Sequence, residues 1–292
     1  MSKTTANWVR KSKIRHGEPI ECLGLTFYPI TVARYEEFLE LKNAWIVRLS
    51  SLPLQYAIKP FLSALWALDL DTFEKSGKVV GFFARVIQLL YLSLRLEYKT
   101  EDAFKAIYYQ HDNPKELLYI EVTQDDNTVK ITPQDFTAYI RLIVAEQNGL
   151  ELPDESFNPE IVEAEQQMAN EASKKNPLIF DTDTLIASVA YLSHLTEKEL
   201  DEWTILQFEH RIKAIERDKR YMLYGQAELS GMVKFPKGNP YSSWCYDSKS
   251  LTAALVELGD LQQKHSGLGD IVGTVNAGFA QANKQNSNKE NI

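Results

Sequence analysis

Cysteine is scarce in this chain: Cys22 and Cys245 are the only two among 292 residues. A disulfide-stapled fold needs a dense set of cysteines, so that class is excluded and two idle thiols are expected. Neither cysteine belongs to a C-x-x-C pair, and none of His16, His111, His194, His210 and His265 lies in an H-E-x-x-H pattern. The ligand spacing of a zinc site is therefore missing. Positive charge is outnumbered, with 32 Lys and Arg against 40 Asp and Glu and a net charge of −8. That balance argues against binding driven by nucleic-acid phosphates.

Long apolar runs are lacking too. The most apolar stretch, residues 79–96, is interrupted by Arg85, Gln88 and Arg95. A spanning helix needs ~20 mostly apolar residues, and an arginine at its centre costs about 3 kcal/mol. The stretch predicts a buried core helix, and no membrane association is expected. Arg10, Lys11, Lys13 and Arg15 near the N-terminus precede no apolar run, so no secretory leader is expected either.

Nucleotide and hydrolase signatures are also absent: no Walker A sequence, no G-x-G-x-x-G after a strand, and no G-x-S-x-G. Asp181-Thr182-Asp183 could hold a divalent cation, but directly before a helix an aspartate ordinarily caps. Asp125-Asp126 suits a hairpin turn. We expect no enzymatic activity, no catalytic residue, no cofactor and no metal.

What is present is an ordinary globular composition, 44% apolar and 25% charged, long enough for one large domain or two smaller ones. Residues 1–19 are polar and predict a flexible N-terminus. Residues 20–150 predict an α+β domain. It opens with a short strand over Glu21–Tyr28 and a helix capped by Thr31. Another helix starts after Pro60, and Asp69–Gly77 is a polar interruption before the apolar helix. Thr100 caps a further short helix through Tyr109. β-branched residues on both sides of Gln124-Asp125-Asp126-Asn127 then predict a hairpin. Thr132-Pro133-Gln134-Asp135 combines a capping Thr with an N1 proline, a strong helix start, and Asn148-Gly149 supplies the stop.

Residues 151–177 shift to acids and amides with few large apolar residues and predict a linker. Residues 178–265 predict a helical C-terminal domain. Asp183 or Thr184 caps its first helix, and Thr196-Glu197-Lys198-Glu199 forms a capping box ahead of the next. A last helix is expected over 248–264. The stretch 266–292, rich in Gly, Asn, Gln, Ser and Lys, predicts a disordered tail. The fold class expected is mainly α with a small antiparallel β element.

One cluster stands apart. Tyr221, Tyr224, Tyr241, Trp244 and Tyr246 surround the loop after Gly231, with Arg217, Lys219 and Arg220 among them. Such residues serve core packing, a protein interface rich in aromatic anchors, or stacking on single-stranded nucleic acid. The acidic chain ranks them in that order.

Several pieces in order resemble proteins from the tail-morphogenesis regions of tailed bacteriophages, especially those of Gram-positive hosts. They are Leu25-Thr26-Phe27-Tyr28-Pro29-Ile30-Thr31-Val32, and Glu146-Gln147-Asn148 ahead of Leu152-Pro153-Asp154-Glu155. Next come Leu200 to Phe208, and then Tyr221 to Phe235 with Ala227-Glu228-Leu229-Ser230-Gly231. The resemblance spans roughly residues 20–250 and supplies no catalytic residues. It implies a tail assembly chaperone that binds tape-measure and tail-tube proteins in the host cytoplasm, or else a structural component of the tail or connector retained in the virion.

Overall fold

The computed structural model describes residues 3–77, 81–97, 107–110, 113–155, 181–231, and the single positions 235, 239, 241 and 244. The chain is mainly helical with two small antiparallel sheets, and it divides into two compact units, Met1–Lys213 and Ala214–Ile292. The linker expected over 151–177 lies outside the described residues from 156 on, as do the helix expected over 248–264 and the tail at 266–292.

The first unit opens on helix α1, Lys3–His16, where a flexible N-terminus was expected. Its last turn carries Lys13 and Arg15, cations that suit the negative end of a helix. Arg10 pairs with Glu146 at 2.8 Å, and Gln207 Nε2 donates to the Arg15 carbonyl. Gly17, at φ +71°, ends the helix so close to Thr204 that a Cβ there would sit 2.8 Å from the Thr204 methyl. Tethering to distant residues, invisible in a polar sequence, is what orders this segment.

The single strand expected at Glu21–Tyr28 is a hairpin, β1 Ile20–Cys22 and β2 Leu25–Phe27, reversed at Leu23-Gly24. The chain continues through a 3-10 turn, Val32–Arg34, into α2, Tyr35–Trp45. A second 3-10 turn, Leu49–Ser51, leads to the single turn α3, Leu54–Ala57. Pro60 starts α4, Phe61–Ser76, which runs straight through the stretch expected to interrupt it. Asp69 is buried within it, and its carboxylate accepts from Phe83 N–H at 2.9 Å, which caps α5, Phe82–Ser93. The polar residue that looked like a break instead starts the next helix.

A three-stranded sheet follows, β3 Ile107–Gln110, β4 Asn113–Gln124 and β5 Asn127–Ile131. The β4–β5 hairpin turns at Asp125-Asp126, as its sequence predicts. At residues 107–109 a strand replaces the expected helix. Thr132 then caps α6, Pro133–Asp135, by accepting from Asp135 N–H. A π-helical turn, Phe136–Ile140, joins it to α7, Arg141–Gln147. Gly149 at φ +69° follows, with Leu206 and Glu209 packed against its backbone.

Helix α8, Thr182–Ser193, is capped by Asp181, two or three residues earlier than expected; its carboxylate accepts from Thr184 N–H. The expected capping box at Thr196 and Glu199 opens α9, Glu197–Asp201. The long helix α10, Ile205–Leu229, gives its first turns to this unit. The residues from 181 to 213 therefore do not begin a separate domain. A bridge pairs Thr31 with Thr204, Val32 N–H donates to the Trp203 carbonyl, Ile205 N–H donates to the Ile30 carbonyl, and Tyr35 meets Phe208 edge-on at 5.2 Å.

The core sits where α2, α4 and the Phe136 turn meet. Phe136 lies 5.3 Å from Trp45 and 6.4 Å from Phe61. Arg141 is buried beside them with its guanidinium 3.6 Å from the Phe61 ring centre. Its Nε and Nη2 donate to the carbonyls of Trp45 and Val47, just past the end of α2. Burial pushes its pKa down to about 10, and the free carbonyls at the helix end supply the negative potential that holds it.

Candidate protein-binding surface

Beyond Lys213, helix α10 carries the aromatic cluster singled out in the sequence. The described positions beyond Gly231 meet one side of the helix. Asn239 Nδ2 donates to Glu228, Tyr224 stacks on Phe235 at 5.6 Å and meets Tyr241 at 4.6 Å, and the Arg220 guanidinium lies 5.7 Å from the Tyr241 ring. Arg217 Nε then donates to the Trp244 carbonyl at 3.0 Å. Helix positions 217, 220, 224 and 228 recur at three to four residues, one stripe of an α-helix. That stripe is the one those positions cover.

Four of the five expected residues lie among the described ones, and they do not all share one stripe of the helix. Tyr224 meets Tyr241 at a tilt and stacks on Phe235. Trp244 is held through its carbonyl while 62% of its surface stays exposed. Tyr246 lies outside the described residues. Tyr221 belongs to a different stripe.

That second stripe is Tyr221, Gly225 and Leu229, each one turn from the last, with Met222 alongside. Together with Gln226 and Asn239 these residues line a groove of about 480 Å³. Leu229 is 90% exposed and Met222 53%. Gly225 forms the floor, and no atom lies within 4 Å of where its Cβ would stand. A glycine inside a helix costs roughly 0.5–1 kcal/mol relative to alanine. Here that cost opens a notch between a tyrosine and a leucine that nothing among the described residues fills. The i, i+4, i+8 spacing of these positions was the available sequence signal.

The first unit has a larger cleft of about 570 Å³, lined by Ile30, Thr31, Arg34, Glu37, Gln88 and Arg95 among others. Its polar groups satisfy one another. Glu37 accepts from Arg34 Nε at 2.8 Å and from Gln88 at 3.3 Å, and Arg95 lies over the Tyr28 ring at 4.3 Å. No nucleophile and base converge there, so we favour the smaller apolar groove, where the surface is left uncovered.

The charged groups that burial perturbs have structural roles. Burial raises the Asp69 pKa against the opposing pull of the α5 amides, and it raises that of Glu209, which lies beside Gly149. Asp71 is held below the usual carboxylate range by Lys115 and Tyr56, while Lys115 also reaches Glu74 at 2.9 Å. That cluster ties β4 to α3 and α4. His194 occupies the left-handed position that ends α8, and Asp125 and Asp126 take positive φ in their turn. Among the described residues, no group of three or more His, Cys, Asp or Glu could hold a metal ion, and no helix is long and apolar enough to cross a membrane.

No protein-family model, curated protein or solved structure matches the chain.

Proposed function

We propose that this chain is a tail assembly chaperone of a tailed bacteriophage, or a closely related tail-morphogenesis factor. It works by binding proteins rather than by catalysis. Its clients are the tape-measure and tail-tube proteins, held in the host cytoplasm until they polymerise. The observation that carries the reading is the uncovered apolar groove at Tyr221, Met222, Gly225 and Leu229. Exposed apolar side chains grouped around a groove offer a contact surface, and an apolar helix of a client docks into such a groove through anchors one turn apart. The Tyr221–Phe235 piece that carries part of the phage resemblance contains the helical residues of this groove.

Co-expression with tape-measure and tail-tube proteins, followed by affinity purification through this chain, tests the proposal. At least one of the two should co-purify, and Gly225→Leu, which fills the notch, should abolish that. Failure of both clients to co-purify overturns the reading. Mass spectrometry of purified virions should find the chain absent or far below the copy number of tail subunits; stoichiometric presence would mark a structural component of the particle instead.

A further inference from the structure

In the cleft of the first unit the backbone wall is less well served than the side chains. Pro29, Ile30 and Thr31 line one part of it, and Leu92, Arg95 and Leu96, at the end of α5, line another. Ile30 uses both of its main-chain groups elsewhere. Its N–H donates to Asn148 Oδ1 at 2.8 Å, and its carbonyl accepts from Ile205 N–H at 2.9 Å. Across a planar trans peptide the N–H and C=O point opposite ways. The Pro29 carbonyl therefore points away from Asn148, and the Thr31 N–H points away from Ile205. The bridge between Thr31 and Thr204 agrees, because its two hydrogen bonds run through Ile30 and Val32. In that pattern the groups of the central residue face the other edge, and Thr31 is extended, at φ −93° and ψ 161°. Among the described residues, neither the Pro29 carbonyl nor the Thr31 N–H has a hydrogen-bond partner.

An acceptor and a donor flanking one residue on the same side are what a sheet edge offers an incoming strand. The cleft beside them holds about 570 Å³, within the roughly 300–1,000 Å³ of ligand clefts, and Leu92 and Leu96 give it an apolar wall. Its charges narrow the choice of strand. Arg34 and Glu37 neutralise each other. Arg95 has no such partner: its guanidinium lies over the Tyr28 ring at 4.3 Å, and no oxygen among the described residues accepts from it. Arg95 also takes φ +56° in the left-handed position after α5, where glycine is the usual residue. A large side chain held in that conformation against its steric cost marks a position with a use. Glu97, exposed at the rim, repels a run of acids but leaves room for one.

We propose that this cleft binds an extended segment of another protein by strand addition. One N–H of the segment donates to the Pro29 carbonyl, and one of its carbonyls accepts from the Thr31 N–H. An apolar side chain lies against Leu92 and Leu96, and a single aspartate or glutamate meets Arg95. Main-chain hydrogen bonds supply the affinity in this mode, and side-chain contacts supply the choice of partner. Pro29 withholds a further donor on that side, so the edge stays short and does not template an open-ended sheet. The surface lies wholly in the first unit, and its case is independent of the α10 groove.

The test is an NMR titration of the isotope-labelled full chain with the capped peptide Ser-Thr-Val-Asp-Val-Thr-Ser. At about 1 mM peptide, enough to half-saturate a site of millimolar Kd, the Thr31 amide signal should shift and its hydrogen exchange should slow. The amides of Ile30 and Val32, already bonded within the chain, should keep their exchange rates. N-methylation of the three central peptide residues removes their donors and should weaken binding more than about tenfold. Arg95→Gly suits the left-handed backbone, so folding is not in doubt. It should bind the peptide about threefold less tightly and no longer distinguish it from the version with Asn in place of Asp. An unmoved Thr31 amide, or equal binding of the N-methylated peptide, overturns strand addition. A preference for Asp over Asn that survives Arg95→Gly overturns the part given to Arg95. None of these outcomes involves the tape-measure or tail-tube proteins, so failure here and failure of the co-purification are told apart.

Discussion

Asn148 is fully buried at the end of α7 and bonds in two directions. Its Oδ1 accepts from Ile30 N–H at 2.8 Å, and its Nδ2 donates to the Val144 carbonyl at 2.8 Å. The Val144 carbonyl also accepts from Asn148 N–H, so losing Nδ2 leaves it partnered. Ile30 N–H has no such reserve, because Ile30 is itself buried. Asn148→Ala therefore strands one buried amide, at about 1–3 kcal/mol, and removes a packed carboxamide besides. The expected total is roughly 2–4 kcal/mol, measured by urea unfolding followed through tryptophan fluorescence. Asn148→Leu restores volume but no acceptor and should recover less than half of the loss. Amide hydrogen exchange at Ile30 should accelerate in both variants while that of Phe38, in the middle of α2, changes only as much as global stability requires. An Asn148→Ala protein within about 0.5 kcal/mol of the parent, the scatter of ordinary surface changes, would refute the reasoning.

Three further outcomes are expected. Asp69 has a folded pKa raised above 3.8 by burial, so the native state holds its proton more tightly than the unfolded chain. Its stabilisation is then fully present below 3.8 and is lost as pH rises through the folded value. Compared with Asp69→Asn by urea unfolding, the parent should gain stability on going from pH 7 to pH 4, and a difference that does not move with pH contradicts this. Arg141→Met removes the donors to the Trp45 and Val47 carbonyls and should cost about 2–4 kcal/mol in the same assay; Arg141→Lys should not rescue it, since one ammonium cannot reproduce the planar fork over Phe61. Thr196→Ala deletes the capping box of α9 and should cost about 1 kcal/mol, read as a lower urea midpoint with unchanged slope.

How much of this was legible follows from the range of each interaction. Thr132 and Thr196 cap helices through residues three positions away, and the Asp125-Asp126 turn closes a hairpin between neighbours. Such signals lie within one window of sequence. Asp69 looked like a helix break because a buried aspartate serving residue 83 is indistinguishable, in sequence, from a solvated one. Strand β3 was read as helix because Tyr108 and Tyr109 suit either state, and its pairing to β4 is irregular at both residues. The helical N-terminus was missed because its support comes from Glu146, Thr204 and Gln207.

The least visible feature is how the stretch after β2 is satisfied. Along its free edge, side-chain amides replace a neighbouring strand. Gln124 accepts from Thr26 N–H and donates back to the Thr26 carbonyl, Gln147 donates to the Phe27 carbonyl, and Asn148 accepts from Ile30 N–H. The α10 side then takes the next two groups, with Ile205 N–H on the Ile30 carbonyl and Val32 N–H on the Trp203 carbonyl. Three of the pieces on which the phage resemblance rests, residues 25–32, 146–148 and 200–208, thus meet at one seam. A strand edge left bare binds other strands indiscriminately, whereas amides set on α7 and β4 fix its register one bond at a time. Asn148-Gly149 was readable as a helix stop and as nothing more, because Ile30, whose amide Asn148 serves, lies more than one hundred residues away. The groove residues of α10 share that difficulty in reverse. Gly225 shows in sequence only as a costly residue in a helix, and its use becomes arguable once the structure shows that no atom lies within 4 Å of where its Cβ would stand.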